Sequence, residues 1–398
     1  LPPARSHHNQ RLLAVTLAGF CAFVNLYAPQ PLLPMLAGIF KTSAAGISLL
    51  ITASTVAVAL MAPLAGSLAD RLGRKRVIVP SILLLAVPSG LAAAAGSLGQ
   101  LVFWRFFQGV FTPGISVVVS AYVNDEWEEG VGAAMGAYVS GTVLGGFSGR
   151  ILTGLIASRV SWRWAFLVLG MITAVGGLLV WKWLPPGKRF VRTAAAGSGI
   201  SAMLRHLKNP RLLATYAVGF CVLFSMLATF TYVNFYLAAP PFRLSTAALG
   251  FLFVVYLVGA VTTPIASRWI DRVGHRITIA VAFGGGVIGI LLTLWPSIPV
   301  ILLGLALCCS GVFVAQSAST SYIGVVAQEA RAAAVGLYVL FYYAGGSFGA
   351  AIPGQFWSRG GWPACVILIV AVQVLTILLA VLFWGPAPRG AHRVLSEA

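Results

Sequence analysis

Two arginines, Arg105 and Arg150, stand inside long apolar runs. A guanidinium stays charged and carries five N–H donors. In hydrocarbon such a group faces a cavity or a partner, or snorkels to the surface. Gln108 follows Arg105 by three residues, on the same helical face. Counted from the ends of their runs, both arginines fall in the same third of a membrane. They form a positive patch for an anionic or polar solute group, or they serve as structural hydrogen bonders. The eight acidic residues are Asp70, Asp125, Glu126, Glu128, Glu129, Asp271, Glu329 and Glu397. All fall at one membrane side, and the five histidines fall in loops or tails. A proton relay normally uses an acid or histidine within the membrane, and none is evident. Multivalent organic cations, which need a buried carboxylate, are disfavoured as solutes.

Further polar and aromatic residues are candidates to line a cavity: Asn25, Tyr27, Gln30, Tyr138, Tyr232, Asn234, Tyr236, Gln316, Tyr338 and Tyr342. Ordinary helix–helix hydrogen bonding is the rival role for each. Pro29, Pro31 and Pro34 free backbone groups and bend their helix. Cys21, Cys221, Cys308, Cys309 and Cys365 all lie in apolar runs without a CxxC pair, so they read as packing residues rather than a metal site. Gly284 to Gly289 match G-x-G-x-x-G, but inside an apolar run with no preceding strand, which reads as helix packing. There is no Walker A sequence, zinc-binding HExxH or nucleophile elbow. Neither a cofactor nor an enzyme is implied.

The elements that position these residues follow from composition. The chain is 59% hydrophobic and 9% charged, with mean hydropathy +0.94; a soluble domain carries about 25% charged residues. Apolar runs long enough to cross a roughly 30 Å hydrocarbon core recur throughout, and in lipid such runs must be helices. Twelve spans are expected, near 12–36, 44–66, 77–96, 99–122, 131–157, 163–184, 211–238, 245–269, 277–295, 298–326, 331–356 and 361–384. The first run is too long for a cleavable signal peptide. The net charge of +18 sits in short loops, as the positive-inside rule requires, which argues against nucleic acid as its reason. With the N-terminus inside, only Lys41, Arg159, Arg163, Arg243 and Arg359 fall in outer loops. Both termini are thus expected in the cytoplasm.

The polar interval 185–210 divides the chain into six-helix halves, 1–184 and 211–398. The halves are related at an offset of 200. Arg11-Leu12-Leu13-Ala14 recurs as Arg211-Leu212-Leu213-Ala214, and 131–166 matches 331–366 at 12 of 36 positions. Among the matches are Tyr138/Tyr338, Gly145/Gly345, Gly149/Gly349 and Trp162/Trp362. Parallel repeats are what a two-halved alternating-access transporter needs, with its solute site between the halves.

The loop after the second span reads Gly66-Ser67-Leu68-Ala69-Asp70-Arg71-Leu72-Gly73-Arg74-Lys75, and a degenerate copy runs from Ser267 to Arg276. It closely resembles the loop motif of major facilitator transporters. The resemblance covers essentially the whole chain. It implies an all-α polytopic membrane protein with 12 transmembrane helices in two pseudo-symmetric six-helix bundles. It also implies a conformational latch formed by Gly66, Asp70, Arg71, Gly73 and Arg74, with Asp125 and Glu126 as partners. In that reading Asp70 caps a helix of the other half, where the dipole favours a carboxylate. The rival reading is that these charges only set topology.

Arg105 to Gly109 resemble the R-x-x-Q-G motif of proton-coupled members. Gly141, Gly145, Gly146 and Gly149 resemble the antiporter motif of efflux members, but Gly146 replaces its proline and Arg150 its last glycine. These similarities imply efflux of a small amphipathic or polar solute by proton antiport across a bacterial inner membrane. Import or uniport of a small organic anion is the alternative. Intact repeats and the missing catalytic cluster disfavour a membrane enzyme or a non-transporting receptor. The expected partners are a small-molecule solute, protons and membrane lipid, with no nucleic acid, and the protein is expected as a monomer.

Overall fold

The computed structural model describes residues 3–127, 129–187 and 203–385. Six long helices precede the polar interval: α1 (Pro3–Leu26), α2 (Ala44–Leu72), α3 (Arg74–Leu91), α4 (Leu98–Glu126), α5 (Val131–Arg159) and α6 (Trp162–Trp183). Six follow it: α7 (Pro210–Ala238), α8 (Val255–Val273), α9 (His275–Leu292), α10 (Ile298–Val326), α11 (Arg331–Ala351) and α12 (Pro353–Phe383). The 29 residues of α2 span about 43 Å at 1.5 Å per residue, ample for a bilayer core. Among the described residues, eleven segments are long and apolar enough to cross a membrane. The crossing expected at 245–269 is built in pieces, as a short helix Thr246–Phe251, a 3-10 turn Leu252–Val254 and then α8. The expected linker 185–210 lies outside the described residues over 188–202.

The sequence punctuates these helices locally. Ser43, Ser97 and Ser161 each take the N-cap position of α2, α4 and α6, their hydroxyls accepting from backbone N–H groups three residues on. Asn209 does the same before α7. Such caps satisfy donors that the first turn leaves unpaired. Pro29 interrupts α1, which resumes as a 3-10 turn Gln30–Leu32 and a short helix Leu33–Ile39. Gly360 and Gly361 break α12, with Gly361 at φ 60°. Its first turns therefore extend α11, and the apolar stretch after Gly361 makes the last crossing.

Packing repeats where the sequence repeats. A Cβ at Gly145 would lie 2.4 Å from the Phe20 carbonyl, and one at Gly345 2.0 Å from the Phe220 carbonyl. At Gly149 and Gly349 the obstacles are the carbonyls of Val24 and Phe224, 2.1 and 2.4 Å away. In both helix sets the fifth helix thus lies directly on the first, at distances only glycine permits. Gly19 and Gly219 likewise seat the rings of Tyr138 and Tyr338.

The two ends of the molecule differ. One end carries the 66–75 loop and is called the motif end; the other is the far end. One apolar cluster runs from the far end of the first six helices (Leu26, Leu33, Ile47, Ile51, Phe166) into the whole of the last six. A second cluster holds the motif end of the first six, from Ala14 to Leu184, and contains no residue of the last six. Among the described residues, the two side-chain hydrogen bonds between the sets, Gln30 to Thr231 and Ser347 to Thr55, sit away from the motif loops.

Candidate transport site between the two helix sets

Arg105 is fully buried on α4. Its Nε donates to the Leu50 carbonyl at 3.0 Å, and Nη1 to the Asn25 carbonyl at 2.9 Å. Nη1 also donates to Gln108 Oε1. Nη2 donates to the Leu26 carbonyl and, at 2.9 Å, to Ser54 Oγ. Five donors thus meet five acceptors. The carbonyl of Asn25 is available because Pro29, four residues on, has no N–H to offer it. Arg105 thereby ties α1, α2 and α4 together. In this conformation it holds no donor for a solute, and it does not snorkel. Gln108 keeps one unpartnered atom, the buried Nε2.

Arg150 on α5 is equally buried but differently served. Nε donates to Gln30 Oε1 at 2.7 Å and Nη1 to the Gly146 carbonyl at 2.6 Å. Nη2 is buried and has no partner. The guanidinium lies over three rings: Phe253 at 4.5 Å, Tyr256 at 4.7 Å and Tyr27 at 5.1 Å from the ring centroids. A cation over an aromatic face is attracted by the ring quadrupole. Phe253 and Tyr256 belong to the last six helices, so the contact crosses between the sets. Gln30 extends the crossing by donating through Nε2 to Thr231 Oγ1 at 3.3 Å. Nearby, Gly154 of α5 packs against the backbone at Thr246 and Gly250.

Phenols gather around this point. Tyr27 lies within electrostatic reach of Arg150, Tyr256 and Arg105, and Tyr342 within reach of Tyr27, Tyr338, Tyr343 and Tyr256. Tyr338 stacks on Tyr342 at 5.8 Å, and Tyr342 meets Tyr343 edge-on at 5.5 Å. The hydroxyls of Tyr256 and Tyr338 are buried without partners. Tyr27 and Gln30 are thus brought to Arg150, with Tyr342 and Tyr338 on the side of the phenols away from it.

The remaining candidates are placed elsewhere or bound up in packing. Asn25 donates to Thr173 Oγ1 at 2.7 Å, toward α6. Tyr138 donates to the Ser116 carbonyl and Tyr232 to the Ala350 carbonyl. Asn234 donates to its own helix at Phe230. Tyr236 stacks flat on Trp362, at the far end. Gln316 is half-buried on α10.

At the motif end, Gly73 closes α2 and opens α3 with φ 96°, a conformation that favours glycine. Gly274 does the same in the second copy, at φ 83°. Arg74 bridges Asp125 at 3.0 Å and Asp70 at 2.7 Å. The expected pairing of Arg74 with Asp125 is present. Asp70 engages Arg74 rather than a helix of the other set, and Arg71 is exposed. The backbone carbonyl of Glu126 accepts from Arg11 at 3.0 Å. A Cβ at Gly66 would meet open space. These contacts all stay within the first six helices.

The sequence pattern of the Major Facilitator Superfamily matches residues 15–322 and, in a second match, 235–398. The chain belongs to this superfamily. An uncharacterized transporter of Buchnera aphidicola subsp. Schizaphis graminum is 33% identical over 374 residues, covering 94% of this chain and 91% of the relative. The inner membrane transport protein YnfM of Escherichia coli is 31% identical over 369 residues, covering 92% and 88%. The nucleoside transporter NupG superposes with a TM-score of 0.76 at 15% identity, covering 94% of this chain and all of that one. The last likeness establishes the fold alone. The protein is a multi-pass membrane transporter of the secondary type, in a family of transporters rather than enzymes.

Two residues of this candidate site, Phe253 and Tyr256, escaped sequence reasoning. They sit in an apolar run where nothing in residue type separates a cavity wall from a lipid face. The one available signal was asymmetry. Arg150 has Ala350 as its repeat mate, so the charge needed a partner that the repeat could not supply.

Proposed function

We propose that a small amphipathic solute with an anionic or polar group crosses between the six-helix sets 1–184 and 211–398 by alternating access. The unpartnered Nη2 of Arg150, beside the phenol rings of Tyr27 and Tyr256, carries this reading. A buried N–H without an acceptor loses roughly 1–3 kcal/mol, which a carboxylate or similar oxygen would recover. Arg105 and Arg150 are the only buried charged side chains among the described residues, and both are cations. The interior therefore suits an anion. The contacts between the sets favour a state closed at the far end and open at the motif end. With positive-inside topology the motif end faces the cytoplasm of a bacterial inner membrane, and so do both termini. The 66–75 loop acts as the latch of the opposite state.

Efflux by proton antiport is the direction that the glycine-rich α5 supports. Gly141, Gly145 and Gly149 seat it on α1 as a close-packed pair. With no membrane acid described, the exchanged proton travels on the solute itself or on the motif-end carboxylates. Import or uniport of an organic anion is the second reading, favoured by that same lack of acid. Counterflow in proteoliposomes tests both, using a labelled aromatic carboxylate, a neutral sugar and a cationic dye, with and without a pH gradient. Carboxylate exchange that fails in R150Q supports the anion site, and acceleration by the gradient supports antiport. Equal exchange of the cationic dye in the parent and in R150Q overturns the anion site.

A further inference from the structure

On the outer flank of the first six helices, away from the arginine site, α3 and α6 leave a recess of about 610 Å³ at the motif end. Its lining is Lys75, Leu178, Leu179, Trp181 and Lys182. Above it the two helices touch closely: a Cβ at Gly177 would lie 2.7 Å from Leu83, and one at Gly170 2.8 Å from the Gly90 nitrogen. The recess therefore rests on a packed pair. Among the described residues, neither lysine has a carboxylate within 4.0 Å, since both ion pairs present belong to Arg74. Trp181 is 62% and Leu178 55% exposed. On a water-facing surface that would be an unexplained apolar patch. On a bilayer-facing one it is an acyl-chain wall with an interfacial tryptophan.

We propose that this recess is a binding site for one anionic phospholipid. The phosphate sits between the ammonium groups of Lys75 and Lys182, and an acyl chain lies along Leu178 and Trp181. Two flexible point charges suit a phosphate, and basic recesses between transmembrane helices recruit anionic headgroups. A zwitterionic lipid offers the same chain but adds its own cation beside the lysines, so it binds more weakly. Soluble phosphate has the charge but not the chain, so the apolar wall adds nothing to its binding.

The test uses the purified full chain in a neutral detergent, with thermal unfolding and native mass spectrometry as readouts. The probes are dioleoyl phosphatidylglycerol, dioleoyl phosphatidylcholine and glycerol 3-phosphate. Ligand that binds only the native state raises its apparent stability. Phosphatidylglycerol is expected to raise the Tm and to appear as one retained adduct, with phosphatidylcholine and glycerol 3-phosphate giving neither. K75Q/K182Q should lose the shift and the adduct. K208Q/R276Q removes two exposed charges elsewhere at the same end, and it should keep both. Because Lys182 is exposed, K182Q alone gives a folded variant with a weakened response. An undiminished response in K75Q/K182Q, an equal response to phosphatidylcholine, an equal shift with glycerol 3-phosphate, or equal loss in K208Q/R276Q would each overturn the site.

Discussion

The two buried arginines have the same side chain at the same depth class and opposite circumstances. Arg105 spends every donor within the first six helices, on carbonyls and side chains of α1, α2 and α4. Arg150 places only two of its five donors, leaves Nη2 without a partner, and rests on two rings of the other helix set. The first is a rivet: nothing about it needs to change when the sets move apart. The second spans the surface that must separate, held by contacts each worth only about 0.5–2 kcal/mol. Burial of a charge inside a membrane protein therefore does not by itself mark a solute site; the proposed site is read from the donors left over.

The comparison breaks most visibly at Arg105. Arg105→Gln strands the carbonyls of Asn25, Leu26 and Leu50, and hydrogen bonds to a charged group are worth about 1.5–3 kcal/mol each. A large fall in the apparent Tm is expected, and Arg105→Lys, with three donors, recovers part of it. An Arg105→Gln protein with parental Tm would remove the rivet from the comparison. Next in size are Gly145→Val and Gly345→Val, whose new side chains run into the carbonyls of Phe20 and Phe220. Overpacking of this kind costs about 1–3 kcal/mol, and the two variants should lose similar Tm. Gly285→Val, where a Cβ meets open space, should be nearly neutral in the same melting series.

Arg150→Gln sharpens the contrast because it removes two donated hydrogen bonds where Arg105→Gln removes five, so its effect should be smaller than that of Arg105→Gln on stability and large on counterflow. Carboxylate exchange should fall at least about tenfold, the equivalent of roughly 1.4 kcal/mol. The smallest effects are expected at the rim. Arg74→Gln removes half-exposed ion pairs worth about 0.2–1 kcal/mol each, so its Tm should barely move. Its transport rate should still change, if the loop acts on the balance of states rather than on stability.

Much of this was legible in the sequence. The apolar runs, the basic loops and the 200-residue offset carry the fold, because a membrane leaves the backbone little choice. The fifth-on-first helix packing was visible as Gly145/Gly345 and Gly149/Gly349. The destination of each arginine was not. The acceptors of Arg105 are mostly backbone carbonyls, which carry no residue signature, although Pro29 signals that one at Asn25 is spare. The cage around Arg150 depends on which face of a far segment meets α5, and 253–256 reads simply as apolar. Asp70 was expected to reach the other helix set. In this conformation it pairs with Arg74, four residues on and past the Gly73 break.

A distance across the far end tests the cross-set anchor most directly. Spin labels at S158C and R243C, both exposed positions at that end, report the separation of α5 from the segment leading into α8 by pulsed dipolar spectroscopy. The five native cysteines are buried and stay unlabelled. In detergent without solute, a single short distance is expected in the parent, with a second, longer population appearing when R150Q is added. The R105K variant should keep the parental distribution. Identical distributions in the parent and R150Q would contradict Arg150 as the contact that holds the far end closed.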